Sequence, residues 1–399
     1  MVSLAAALAL TIVFQSPTER DQAEDLARAG RTQEAIAIYR RILEQNPADT
    51  DARLWIARLN MRIGKTEDAE AAFRSVVREH PGDVDARIGL GAALTRRGAW
   101  DEAIAILHET EPAAGQNADL FGTLARAYRR AGDDRSALEY FERARALTPT
   151  DWDIVSGYEA TAQVYGHSIV FDGFTESGST GTDAQSGSLS MLVRAAPQLH
   201  IHARGRVQRR TESTDVLGGG GVLWRAGRAT TVGLYIAGGS GNTSLPTTDM
   251  WGEVVHYTGA FEVGGSIRGL SFVGTEVIAA SPTLSWDRGG RTRLDSRYTY
   301  SRTRFTGTGD SSGDHSVMVR DTLRLWRRVW LNATYAYGIE SFEELSADRI
   351  GSLGATTVAV GVRFALPWLT VITPTWEHQW RSNDSAIDRL TLSVVQTFK

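Results

Sequence analysis

Between about Tyr165 and Phe398, apolar residues recur at every second position in segment after segment. In Leu199–Val207 they are Leu199, Ile201, Ala203, Gly205 and Val207, alternating with His200, His202, Arg204 and Arg206. In Leu390–Phe398 they are Leu390, Leu392, Val394 and Phe398, with Thr391, Ser393 and Thr397 between them. A period of two puts one set on each face of a strand. No second apolar layer in the chain could cover so many apolar faces. A closed barrel resolves this, with its apolar face outward in lipid and its polar face inward, because closure leaves no backbone group unpaired in hydrocarbon.

The chain has 399 residues, enough for two or three domains. Charged residues make up 23% and the net charge is -4, which gives no footprint for nucleic acid or a polybasic membrane contact. Gly (40) and Trp (11) are abundant, as many turns and an aromatic belt require. Cys is absent, which excludes disulfides and thiolate metal sites. No apolar run reaches the roughly 18 residues of a spanning helix. Val2–Phe14 has the length of a signal-peptide apolar region, so residues 1–16 are expected to be an export signal. Against this, no Lys or Arg precedes it and Ala7-Leu8-Ala9 comes early for cleavage; the alternative is a buried first helix.

Residues 20–150 repeat with a period of about 34 residues. Gly30, Gly64, Gly98 and Gly132 are in register, as are Ala35, Ala69, Ala103 and Ala137. Tyr39, Phe73, Leu107 and Phe141 follow, then Pro47, Pro81 and Pro149, with Gly115 in the remaining place. Ala23, Ala57, Gly91 and Ala125 form a small-residue column upstream. The Gly ends one helix, the Ala permits close helix approach, the aromatic or Leu fills the groove, and the Pro stops the second helix. In length, spacing and residue type this resembles the tetratricopeptide repeat, over about four units. The resemblance implies a helical solenoid that binds proteins. Exposed Arg96, Arg97, Arg129 and Arg130 are candidates for a binding face or for a solvated surface.

Residues 151–162 are expected to be a linker, and residues 163–399 a barrel of about fourteen antiparallel strands. The strands are expected at 163–175, 187–195, 198–209, 219–225, 229–237, 250–257, 260–270, 275–286, 292–304, 315–326, 329–341, 355–365, 368–380 and 389–398. Short connections alternate with longer ones, as in outer-membrane barrels; one, near Ser271–Gly274, is short where a long one is due. The Gly218–Gly221 run is expected to be a loop entering a strand. Trp224, Trp251, Trp286, Trp326, Trp330, Trp368, Trp376 and Trp380 are expected to form interfacial belts. A soluble all-β domain is the rival. The final strand resembles the C-terminal signal of outer-membrane barrels, with the aromatic Phe398 penultimate.

Period-two bookkeeping puts His200, His202, Arg204, Arg206, Arg268, Arg291, Arg293, Arg297, Arg320, Arg324, Arg363 and Arg389 in the lumen. Inward acids are fewer: Glu253, Glu262, Asp295 and Glu340. An excess of Arg would favour passing anions; alternatively these Arg pair with acids and inward-folded loops. The faces of 163–175 and 275–286 stay open. No Gly-x-Ser-x-Gly elbow frames a Ser, so no catalytic residue, metal or cofactor is expected, although His200 and His202 share a strand face.

Repeats followed by a barrel resemble the architecture of exopolysaccharide exporters. Gly157-Tyr158 ahead of the first strand, with Arg- and Trp-rich strand ends, is closer to the YaiO-type outer-membrane barrel family. The resemblance implies an outer-membrane barrel with its repeats in the periplasm. It implies a conduit or accessory for polysaccharide export, with lipid, a periplasmic or synthase protein and a glycan as partners. A non-transporting scaffold anchor and an outer-membrane lipid-modifying enzyme are the alternatives.

Overall fold

The computed structural model describes residues 18–179, 183–210, 213–227, 229–258, 261–288, 291–339 and 354–398. The expected export signal and Glu340 lie outside them.

The chain divides near Thr161 into a helical unit and a barrel unit. The helices are α1 (Glu19–Arg28), α2 (Thr32–Gln45), α3 (Thr50–Arg62), α4 (Thr66–Glu79), α5 (Val84–Arg97), α6 (Trp100–Ala114), α7 (Ala118–Ala131), α8 (Asp134–Leu147) and α9 (Trp152–Tyr165). Tyr39, Phe73, Leu107 and Phe141 are buried, and so are all four Ala of the repeat column. Gly30, Gly64, Gly98 and Gly132 adopt φ of 78°, 83°, 93° and 83°, the left-handed region open to Gly at helix ends. Pro47, Pro81 and Pro149 each lie just past a second helix.

The expected linker at 151–162 is instead α9, which packs as a further first helix of the series. Asp151 accepts hydrogen bonds from the Asp153 and Ile154 amides, at 2.8 and 3.3 Å. Asp49, Asp83 and Asn117 accept from Ala52, Ala86 and Leu120 at the starts of α3, α5 and α7. This side-chain cap satisfies amides that the first helical turn leaves unpaired. Gly157 lets α9 close on the preceding unit, since a Cβ there would stand 2.6 Å from the Phe141 ring. Gly89 does the same for Phe73.

Adjacent units are also clamped by arginines. Arg62 donates to the Ala27 carbonyl at 2.8 Å, and Arg96 donates to the equivalent Met61 carbonyl one unit on. Both carbonyls lie in the last turn of a helix, where they lack intrahelical partners. Arg97 belongs to a four-member network with Glu70, Arg74 and Glu102. Arg96 and Arg97 thus hold adjacent helices together, whereas Arg129 and Arg130 make no ion pair among the described residues.

The barrel closes through fourteen antiparallel strands, each paired with its sequence neighbours and the first with the last. They are β1 (His167–Gly178), β2 (Ala184–Ala196), β3 (Leu199–Arg210), β4 (Thr214–Ala226), β5 (Thr230–Gly238), β6 (Thr248–Thr258), β7 (Phe261–Phe272), β8 (Thr275–Arg288), β9 (Thr292–Phe305), β10 (Ser311–Trp326), β11 (Val329–Ile339), β12 (Gly354–Leu366), β13 (Thr370–Arg381) and β14 (Ala386–Phe398). The β1–β14 seam runs in unbroken register from His167↔Phe398 to Gly178↔Ile387. Gly166 sits against this seam, and a Cβ there would lie 2.2 Å from the Phe398 carbonyl oxygen.

Large apolar side chains point outward around the wall, as in Leu189, Ile201, Leu234, Ile267, Ile278, Val319, Val360 and Leu392; Ile267 is 65% exposed. Trp224, Trp286, Trp326 and Trp368 are outward near the short turns and Trp380 near the opposite rim, with Trp376 outward at mid-strand. Trp251 and Trp330 depart from the expected belt. They pair in register with inward Tyr235 and Arg363 and so face the lumen. Strand β4 starts five residues earlier than Gly219, so the Gly218–Gly221 run lies inside a strand rather than in a loop. A Cβ on Gly221 would meet the Leu234 carbonyl oxygen at 2.2 Å, which explains a Gly at this inter-strand contact.

Gly157→Val is expected to destabilise the helical unit by about 1–3 kcal/mol through overpacking against Phe141. Gly187→Ala in β2, where a Cβ meets nothing within 4 Å, should leave it unchanged. Thermal melts of the full chain at the helix circular-dichroism band check the difference.

Candidate functional site: the barrel lumen

Residues paired in register share a face, so one fixed strand fixes its neighbours. Ile201 and Val207 are outward, which turns His200, His202, Arg204, Arg206, Gln208 and Arg210 inward. The same bookkeeping puts Asp172, Phe174 and Glu176 of β1 inside and Ile278, Leu284 and Trp286 of β8 outside. Arg268, Arg293, Arg297, Arg320, Arg324, Arg363 and Arg389 also face inward by register. Arg291 does not. It sits in the turn before β9, where its amide donates to the Arg288 carbonyl.

The lumen contains more acid than expected. Besides Glu253, Glu262 and Asp295, it holds Asp172, Glu176, Asp215, Asp249 and Glu377. These acids pair with the arginines. Arg389 reaches Glu176 at 2.6 Å and Glu377 at 3.1 Å, with its side chain 4% exposed. Arg268 holds Asp249 through two bonds, at 2.8 and 2.7 Å. Arg293 bridges Asp295 at 2.7 Å and Glu262 at 3.1 Å. Two-pronged guanidinium–carboxylate contacts fix both partners in one geometry. They tie β14 to β1 and β13, β7 to β6, and β9 across β8 to β7 along the inner wall.

Other arginines meet hydroxyls and rings. Arg204 donates to Ser188 at 3.3 Å, Arg206 to Ser186 at 3.0 Å, and Arg320 to Thr334 at 3.1 Å. The Arg363 guanidinium lies 5.1 Å from the Trp330 ring centre, and Arg206 and Arg389 flank Phe174. His202 lies against Tyr235, and among the described residues no three His, Asp or Glu converge as a metal site.

These side chains surround a cavity of about 510 Å³, walled by Arg204, Arg297, Arg320, Arg389, Asp172, Glu377 and many Ser and Thr. It suits a hydroxyl-rich or anionic guest, because donors outnumber carboxylates on its wall.

The connection between β5 and β6 folds over the lumen. Asp215 is 1% exposed and accepts from the Thr243, Ser244 and Leu245 amides and from the Ser244 hydroxyl. Asn242 bonds the Val216 backbone on both sides, and Gln208 donates to Ser244 at 3.2 Å. Leu245 is buried against Leu217 and Ala237. A single inward carboxylate thus gathers the loop into the wall.

Models of the tetratricopeptide repeat match residues 20–83, 64–127 and 120–151. No curated protein matches the chain. Among solved structures, a thermophilic TPR protein of Thermus thermophilus is 23% identical, with TM-score 0.35; the match covers 37% of this chain and 80% of that one. MamA from Desulfovibrio magneticus is 18% identical, with TM-score 0.32, over 37% of this chain and 82% of that one. A third, the CymD monoaromatic hydrocarbon channel, is 9% identical, with TM-score 0.41, over 60% of this chain and 91% of that one.

Removing one partner of a buried pair leaves an uncompensated charge. Arg389→Met is expected to lower barrel stability by about 3–5 kcal/mol. The triple change Arg389→Met, Glu176→Met, Glu377→Met should recover most of that loss. Urea midpoints of the detergent-solubilised full chain check both.

Proposed function

We propose that the chain is an outer-membrane barrel that serves as a conduit, or an accessory to one, for export of a polysaccharide or similar envelope polymer. Its tetratricopeptide repeats recruit a periplasmic or synthase protein. The carrying observation is the inverted polarity of the barrel, apolar outside and charged inside. Water cannot favour that arrangement over its opposite, whereas lipid does. Aromatics near both rims support the same reading. The even strand count returns the chain to the short-turn end where it began, which in such barrels faces the periplasm. The YaiO-type resemblance and the exported signal belong to this proposal, as does the absence of enzymatic activity.

The cavity supports a sugar-like cargo, since hydroxyls, arginines and Phe174 together offer polar contacts and a stacking surface. A second reading is a non-transporting anchor that displays the repeats. The loop tethered by Asp215 and the ion-paired wall favour it.

In planar bilayers the purified full chain is expected to conduct, and Asp215→Ala should raise the conductance by freeing the loop. Silence from both proteins, with unchanged polysaccharide secretion on deletion, would reject the conduit and leave the anchor. Leu234→Arg is expected to cost about 2–4 kcal/mol of folding into bilayers, the penalty for a charge on the lipid face. Liposome flotation checks the membrane reading itself; a wild-type chain that stays soluble without detergent would end it.

A further inference from the structure

Few charges face outward on the barrel, and two of them stand together. Arg302 and Arg304 occupy successive outward positions of β9 at the end of the strand away from the short turns. Their register partners on β8 are Ile278 and Glu276. On β10 they are Gly313 and Ser311. One step further down β9, Tyr300 lies between Ala280 and His315. Neither guanidinium makes an ion pair or hydrogen bond among the described residues. Both side chains are exposed.

The six residues Glu276, Ile278, Ala280, Tyr300, Arg302 and Arg304 line a groove of about 550 Å³ on this outer surface. Its chemistry is graded. Positions two apart on a strand are separated by about 7 Å, so the two guanidiniums form one cationic edge. Beside Arg302, Ile278 is 63% exposed, and the apolar wall continues below through Ala280 and Tyr300. Glu276 offsets one cation and leaves the groove net positive. A lipid-facing Arg is costly at mid-depth and nearly free at the interface, so this pair belongs at headgroup level. Guanidinium binds phosphate through paired, planar hydrogen bonds. An acyl chain below the phosphate would cover Ile278 and Ala280.

We propose that this groove binds a net-anionic phospholipid of the leaflet at that rim, with Arg302 and Arg304 on the phosphate and the acyl chain against β8. The site rests on the membrane reading above and is separate from the lumen.

Native mass spectrometry of the full chain in detergent, with phosphatidic acid or phosphatidylcholine added, tests it. Wild type should retain phosphatidic acid in preference to phosphatidylcholine. The Arg302→Gln, Arg304→Gln double variant should lose about tenfold in that affinity, or about 1.4 kcal/mol. Arg209→Gln, which removes an outward arginine on β3, should retain the lipid as wild type does. Inorganic phosphate at the same concentration should not displace it. Equal retention by the double variant, equal retention of the two lipids, or displacement by phosphate alone would overturn the site. Heat-modifiable migration on gels shows that each variant has folded. Flotation of the wild type with liposomes separates the two failures: floating protein with equal lipid retention sinks the groove alone, and protein that does not float sinks the membrane reading with it.

Discussion

Closure of β1 on β14 is the constraint on which the barrel rests. An open fourteen-strand sheet would expose two edges of unpaired amides and carbonyls, and neither water-poor surroundings nor aggregation resistance permits that. Joining the first strand to the last satisfies both edges at once. The seam is reinforced where it is longest in sequence terms. Arg389 of β14 reaches Glu176 of β1, and Ser179, just past β1, exchanges bonds with Ala386, the first residue of β14. At the other end Gly166 allows the chain to pass close to the Phe398 carbonyl.

Once the wall is closed, side-chain alternation sorts chemistry by face. The outward set is aliphatic and aromatic, and the inward set is charged. Burying so many charges is unfavourable unless each finds partners. The lumen answers with bidentate and bridging pairs such as Arg268 with Asp249 and Arg293 with Glu262 and Asp295. The same pairs narrow the lumen, so stiffness and guest space compete for the same side chains. The cavity beside Phe174 survives where Ser and Thr replace longer residues.

Much of this was legible in the residues. The repeat columns identify buried positions because helix packing leaves no choice of size at Ala35 or Phe73. Strand alternation identifies the lumen side of β3 because Ile201 and Val207 leave no ambiguity. Other features were missed for physical reasons. Helix α9 lacks the full repeat pattern, yet Asp151 stands in the capping column of Asp49 and Asp83, and Gly157 lies two periods after Gly89. Those two signals would have found it. Arg291 was misplaced because the alternation of β9 was carried one residue past its first residue, Thr292, into the turn. Trp251 and Trp330 were assigned by proximity to strand ends, which says nothing about face. Glu176 and Asp249 escaped because each lies one residue beyond an expected strand end, and Glu377 because parity in β13 depends on register with its neighbours, a long-range property. The tether at Asp215 likewise joins residues far apart in the chain.

Pairing of the earliest barrel strand with the latest also dictates a timetable. The helical repeats consist of local contacts and can mature while the remainder is still being delivered. The sheet cannot finish until its last dozen residues arrive, because only they carry the partner of β1. Loss of even that short tail would strand thirteen threaded segments with two raw margins, an assembly open to proteases and to neighbouring chains. Barrel closure is thus gated by β14, which carries the partners of both β1 and β13.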